Sequence, residues 1–118
     1  MKEKTDMIRG NLFDIEDINP QDTEYFQTLL TGDGFKVERI VSHGQITPEK
    51  QWYNQPQDEW VALLQGSATL TFDDGIEVNL QKGEYIYIAA HQKHRVTFTS
   101  STPPCIWLAI HSKKIHLQ

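Results

Sequence analysis

The 118-residue sequence has little cysteine, no long apolar run and no excess of basic residues. Its one cysteine, Cys105, excludes an intrachain disulfide and any cysteine-rich metal centre. The 11 basic and 16 acidic residues give a formal net charge of -5, which argues against nucleic acid or an anionic membrane as a partner. No stretch approaches the ~20 apolar residues of a membrane span, and residues 1–10 lack the apolar core of a secretory signal. We therefore expect a cytoplasmic protein whose partner is a small-molecule ligand or another copy of itself.

Several common catalytic motifs are also missing. The sequence has no glycine-rich phosphate loop, no Gly-x-Ser-x-Gly segment and no His-Glu-x-x-His segment. These absences exclude the commonest nucleotide-binding, serine-hydrolase and zinc-protease sites. A chain of this length has room for one domain, so any site must be built on a single core.

The first thirty residues differ in pattern from the rest of the chain. Asn19 and Pro20 are typical of a helix start, and the apolar residues that follow recur at helical spacing up to Gly32. Those apolar residues are Tyr25, Phe26, Leu29 and Leu30. The pattern predicts one short helix in an N-terminal extension, residues 1–34, that packs on the outside of a β domain of residues 35–118.

From residue 35 onward the sequence is typical of an all-β protein. Short runs rich in β-branched and aromatic residues are separated by Gly, Asp, Asn and Pro about every ten residues. They predict seven strands, over residues 36–41, 60–64, 67–72, 76–80, 84–89, 94–99 and 105–111. The sequence Asp73-Asp74-Gly75 predicts a tight hairpin turn between two of them. Seven strands in about eighty residues favour a sandwich or a barrel.

Two segments of these strands have a spacing known from one family. Glu59 is followed after six residues by Gly66, and a second segment runs from Gly83 to His94. Over residues 35–111 this pair resembles the two motifs of the cupin superfamily, in particular small single-domain bacterial cupins of the RmlC-like type. Ala89 and His91 replace the proline and second glycine that are usual there. The resemblance implies a cupin-type double-stranded β-helix, a jelly-roll barrel, here with a short N-terminal helix.

The first motif departs from the family pattern. The family places His-x-His three or four residues before the glutamate, and this chain has no histidine there. The three-residue spacing puts Tyr53 and Gln55 in the two histidine positions, whereas the four-residue spacing would put Trp52 and Asn54 there. We favour the first alignment because residues 51–61 resemble a bacterial subgroup with Trp-Tyr-Asp-Gln before Glu-Trp-Val.

Glu59 and His94 are the candidate chemical groups of the barrel. Strand alternation puts Glu59 on one face with Val61, while Trp60 points the other way. The resemblance implies a divalent metal ion (iron, manganese, nickel or zinc) held by Gln55, Glu59 and His94, with Tyr53 as a further ligand. The alternative is a remnant of an ancestral site whose members bond to one another.

His111, at the end of the last predicted strand, has two readings. One places it in the cavity as a replacement histidine, where either it or Tyr53 could move a proton. The other, which we favour from sequence, is an exposed strand-end residue ahead of Lys113 and Lys114.

Two functions from different classes remain open. The first is a metal-dependent enzyme, dioxygenase- or isomerase-like, that acts on a small polar molecule with Tyr53, Glu59 and His111 as catalytic candidates. The second is a metal-free module that binds or senses a small molecule. A carboxylate facing a histidine needs no metal for acid–base chemistry, so a metal-free isomerase is a third candidate. The resemblance also implies a homodimer, which the apolar outer face around Trp60 supports.

Overall fold

The computed structural model describes residues 8–19 and 22–118, and in them it contains eight strands and no helix. The strands are β1 (Tyr25–Gly32), β2 (Phe35–Ser42), β3 (Asp58–Gln65), β4 (Ser67–Phe72), β5 (Glu77–Gln81), β6 (Tyr85–Ile88), β7 (His94–Thr99) and β8 (Cys105–Ser112). The seven predicted strands are confirmed, each within two residues of its expected bounds. The hairpin turn before β5 is confirmed as well, since Gly75 N donates to Phe72 O at 2.9 Å.

The predicted N-terminal helix is wrong. The residues Tyr25–Gly32 form strand β1, which pairs antiparallel with β2. Pro20, part of the predicted helix start, lies outside the described residues. The spacing of the apolar residues led to a wrong prediction because β1 is exposed on both faces. Its apolar residues therefore need not alternate as they do in a half-buried strand. Pairing with β2 overrides the local helical pattern.

The strands form two antiparallel sheets that do not close into a barrel. The larger sheet has the order β1-β2-β8-β3-β6, and the smaller has the order β5-β4-β7. The closed barrel expected from the resemblance is therefore corrected to two open sheets. Closure requires a backbone ladder all the way round, whereas the ladders among the described residues leave β1 and β6 as edges of one sheet and β5 and β7 as edges of the other.

The hydrophobic core is built from the inward faces of both sheets. Its buried members are Val61, Leu63, Ala68, Leu70, Phe72, Leu80, Ile88, Val96, Cys105, Trp107 and Ala109. The expected face assignment of β3 is confirmed: Val61 and Leu63 are in the core, while Trp60 contacts Tyr85 on the outer face with ring centroids 5.2 Å apart.

Strand register brings polar residues together at one end of this core. β8 lies between β2 and β3, and His111 on β8 is directly opposite Lys36 on one side and Glu59 on the other. Directly opposed residues on one face have Cβ atoms about 4.5–5.5 Å apart. Three titratable side chains from three strands are thus placed in one row.

The segment between β2 and β3 is tied to the smaller sheet. Thr47 N donates to Val96 O at 2.9 Å. Tyr53 and His94 exchange two backbone hydrogen bonds, of 2.8 Å and 3.2 Å. This segment therefore carries Tyr53 and the following residues across to the start of β7, next to His94.

The N-terminal segment contacts the outer face of the larger sheet. Nη1 of Arg39, on β2, donates hydrogen bonds to the backbone oxygens of Leu12 and Asp14. No described helix has the length and apolar character needed to cross a membrane.

Candidate functional site

A cavity of about 390 Å³ lies beside the core, within the range of small-molecule sites. All five residues singled out from the sequence line it: Tyr53, Gln55, Glu59, His94 and His111. Three further charged side chains, Glu24, Lys36 and Glu38, line it as well. The remaining wall is apolar, and includes Ile40, Leu70 and Trp107. The structure thus gathers six titratable groups, besides Tyr53, in a mostly apolar pocket.

Glu59 and His94 are neighbours on the cavity wall. Nε2 of His94 is 3.7 Å from Oε1 of Glu59, too far for a normal hydrogen bond. Oε1 is buried and has no hydrogen-bond partner in the described part of the chain. A buried carboxylate oxygen without a partner is costly. This oxygen is therefore available to bond to a ligand group in the cavity.

The ring of His94 is held in one orientation. Its Nδ1 donates a hydrogen bond to Gln92 O at 2.9 Å, so in the neutral ring Nε2 carries the lone pair that faces Glu59. The ring of Tyr53 stacks on it with centroids 5.5 Å apart. Burial raises the pKa of the Tyr53 hydroxyl, so at neutral pH it is a hydrogen-bond donor and not a phenolate.

His111 is paired with a residue that the sequence reading missed. Its Nε2 donates to Oε1 of Glu38 at 2.9 Å and is 4.0 Å from Oε2 of Glu59. The favoured sequence reading, an exposed strand end, is wrong: His111 is only 5% exposed because β8 is a central strand with neighbours on both sides. Acids and imidazoles therefore alternate along the wall in the order Glu38, His111, Glu59, His94.

Glu38 was missed because charged residues in a predicted strand normally mark the solvent face. The available signal was alternation along β2, where Lys36, Glu38 and Ile40 share the face that lines the cavity. The opposite face carries Arg39, which the N-terminal segment contacts. Only the sheet order shows which of the two faces is inside.

The pKa values of Glu38 and Glu59 are shifted in opposite directions. The hydrogen bond from His111 lowers the pKa of Glu38, against the opposing effect of burial. Burial raises the pKa of Glu59, and this outweighs the attraction of His111 and His94. Perturbed pKa values in a cleft are characteristic of functional sites.

The opposite shifts predict opposite pH dependences of stability. Glu38 stabilises the fold above its ordinary pKa of 4.5, and this is lost as the pH falls through its lowered value in the folded state. Ionisation of Glu59 costs stability as the pH rises from 4.5 through its raised value. At neutral pH we expect Glu38→Gln to destabilise the protein and Glu59→Gln to stabilise it, and both differences should shrink toward acid pH. Urea unfolding from neutral to acid pH measures this, and differences of the same sign for the two variants would contradict it.

The metal site implied by the family pattern is not matched by a cluster of three His, Cys, Asp or Glu side chains in the described residues. Gln55, Glu59 and His94 line the same cavity. Two further candidate donors have other roles, because Nε2 of His111 is bonded to Glu38 and the Tyr53 hydroxyl keeps its proton.

The fold and the site define a small all-β protein of the cupin type, with its titratable groups inside the sheet sandwich. The sequence model of the cupin domain matches residues 37–111, and the chain belongs to this family. Among curated proteins, none matches the sequence at a significant level.

Solved structures give the same fold. A protein of Ralstonia eutropha JMP134, provisionally named a mannose-6-phosphate isomerase, is 38% identical with a TM-score of 0.84, and the match covers 92% of this chain and 100% of that one. A cupin superfamily protein of Desulfitobacterium hafniense is 17% identical with a TM-score of 0.70, over 95% and 97% of the two chains. An RmlC-like cupin of Desulfovibrio desulfuricans is 16% identical with a TM-score of 0.67, over 90% and 97%. At such low identities the last two show the fold alone.

Proposed function

We propose that this protein is an isomerase-type cupin that moves a proton within a small carbonyl compound, using Glu59 and His94 as its acid–base pair. In this reaction Nε2 of His94 accepts a proton from the carbon next to the carbonyl group. Glu59 donates a proton to the carbonyl oxygen, which gives an enediol. His94 then returns its proton to the former carbonyl carbon, and Glu59 takes a proton back from the hydroxyl group on the carbon that was deprotonated first. Each such proton transfer contributes about 10²–10⁴-fold to a rate.

The unpartnered Oε1 of Glu59 is the observation that carries this proposal. It is buried, it lies 3.7 Å from the free lone pair of His94, and both groups line the same cavity. The pKa of Glu59 is raised by burial, which favours the protonated acid that donates to a carbonyl. The isomerase name carried by the 38%-identical Ralstonia protein supports the same class of reaction.

Hydrogen exchange from solvent tests this function without knowledge of the natural product. The protein is incubated in D₂O with a panel of aldoses, ketoses and smaller hydroxycarbonyl compounds, each with and without a phosphate group. Deuterium at the carbon next to the carbonyl is followed by NMR. We expect incorporation above the uncatalysed rate for at least one compound, and no incorporation for any of them would contradict the proposal.

A ligand-binding module is the second candidate, favoured by the apolar part of the cavity wall. Ile40, Leu70 and Trp107 offer contact area to a ligand but no chemistry. Exchange and binding measured on the same compounds separate the two functions. Binding without deuterium incorporation would establish the module and reject the isomerase.

The same proposal includes a homodimer formed through β1. This strand is an edge of the larger sheet, is eight residues long and contains no charged residue. Phe26 and Leu30 on it are 50% and 52% exposed. Long, uncharged, exposed edges pair readily, and a second copy offers an identical edge.

Light scattering at micromolar concentration is expected to give twice the chain mass of 13.6 kDa. Leu30→Lys should return the mass to that of one chain, because a charge on the edge opposes pairing. Ile76→Lys is the matched control, since Ile76 is an equally exposed apolar residue next to the β4–β5 hairpin turn. A wild-type monomer would contradict the homodimer.

A further inference from the structure

The charged side chains of the cavity are mostly acidic. Glu24, Glu38 and Glu59 line it. Among the described residues that line it, Lys36 is the only lysine or arginine. Nζ of Lys36 is 3.6 Å from Oε2 of Glu38, so its charge is already paired. The two imidazoles also face acidic side chains: Glu38 lies 2.9 Å from His111, and Glu59 lies 3.7 Å from His94. The cavity therefore holds no unpaired positive charge among these groups.

The usual anion-binding groups lie elsewhere in the fold. Arg39 donates to the backbone of the N-terminal segment on the outer face of β2. Arg95 donates to Thr47 O and lies over the Trp52 ring, 5.7 Å from its centroid. The described chain has no helix whose N-terminus could receive a phosphate. The central strands of the larger sheet, β2, β8 and β3, have neighbours on both sides and use their backbone N–H groups in the ladders. A bound phosphate or carboxylate would thus meet acidic side chains without a guanidinium or helix terminus to offset its charge.

We infer that the ligand of this cavity carries no phosphate or carboxylate group, and that the substrate class is an uncharged carbonyl compound. This inference rests on the proposed function for the carbonyl group, but the exclusion of anions follows from the cavity charges alone. The inference excludes a sugar phosphate as the substrate of this chain, although the name of the Ralstonia protein includes mannose 6-phosphate.

The rest of the wall suits an uncharged ligand. The indole N–H of Trp107 donates to Ser42 Oγ at 3.0 Å, so the ring offers its apolar surface to the cavity. Nε2 of His94 remains as an acceptor for a ligand hydroxyl, and the protonated carboxyl of Glu59 remains as a donor to a ligand carbonyl oxygen. Apolar walls with a few convergent polar groups fit the C–H and O–H surfaces of an uncharged sugar or a smaller hydroxycarbonyl compound.

Titration with inorganic phosphate tests the exclusion of anions directly. The imidazole NMR signals of His94 and His111 report from the cavity, and those of the exposed His91 and His116 serve as internal references. At constant pH and ionic strength, millimolar phosphate is expected to leave the His94 and His111 signals of the wild-type protein unchanged. Saturable shifts of these two signals at submillimolar phosphate would overturn the inference.

The variant Glu38→Gln should bind phosphate more tightly than the wild-type protein. It removes one negative charge and frees Lys36 from its partner, so phosphate affinity should rise by about tenfold or more. Glu77→Gln is the control, because Glu77 is an exposed residue of β5 outside the cavity and its loss changes the net charge equally. An unchanged phosphate affinity in folded Glu38→Gln would contradict the role given to the cavity charges.

The deuterium panel keeps this inference separate from the proposed function. Incorporation into unphosphorylated compounds and not into their phosphate esters supports both. Incorporation into the phosphate esters alone would support the isomerase and overturn the substrate class. No incorporation anywhere would reject the isomerase, and the phosphate titration of the wild-type protein would still decide whether anions are excluded.

Discussion

Glu59→Gln is expected to lower the rate of proton transfer by about 10²–10⁴-fold, the contribution of one positioned acid–base group. The amide keeps the shape of the side chain and can still donate a hydrogen bond, but it cannot transfer a proton. Substrate affinity should change much less than the rate, because the amide keeps the volume of the side chain and the rest of the cavity wall is unchanged. The measurement is the initial rate of deuterium incorporation, with wild-type protein and variant at equal concentration.

The stability of the same variant serves as its control. Glu59→Gln should be more stable than the wild-type protein at neutral pH, since burial disfavours the charged carboxylate. A loss of rate in a more stable protein cannot be attributed to unfolding. Glu77→Gln, outside the cavity, should keep the wild-type rate. A Glu59→Gln rate equal to that of the wild-type protein would remove Glu59 from the mechanism.

Gly66→Ala is expected to have the largest effect on folding. Gly66 has a φ of +91°, and a Cβ there would lie 2.7 Å from Ser100 Oγ and 2.9 Å and 3.0 Å from Sγ and Cα of Cys105. The hydroxyl of Ser100 cannot move away freely, because it accepts from Ser67 N and donates to Pro103 O. Backbone strain of about 1–3 kcal/mol and overpacking of about 1–3 kcal/mol should therefore add.

Gly75→Ala separates these two contributions. Gly75 has nearly the same φ, +90°, but a Cβ there meets no described atom within 4 Å. The free energy of unfolding in urea should fall by about 1–3 kcal/mol for Gly75→Ala and by roughly 2–6 kcal/mol for Gly66→Ala. Equal losses in the two variants would show that close packing at Gly66 is unimportant, and that only its backbone conformation requires glycine.

Local pattern predicted most of the strands because each one buries at least one regular face. β4 and β7 have their predicted bounds, with residues alternating between buried and partly exposed along β4. The prediction for β1 was wrong because neither face of this strand is buried, so the spacing of its apolar residues carried no information about its structure. The hydrogen bonds to β2 that define it are a tertiary feature.

The site was predictable only where a motif marked it. The spacing from Glu59 to Gly66 and from Gly83 to His94 identified two members of the cavity wall. Glu38 belongs to no such motif, and it reaches His111 because β2 and β8 are neighbours although they are far apart in sequence. Strand order, which pattern does not fix, therefore decided the electrostatics of the site.

The backbone bridge between Tyr53 and His94 couples the positions of these two residues. Two hydrogen bonds and the stacked rings join the segment before β3 to the first residue of β7. A displacement of this segment would therefore remove both a backbone partner and the stacked ring from His94, the base of the proposed pair.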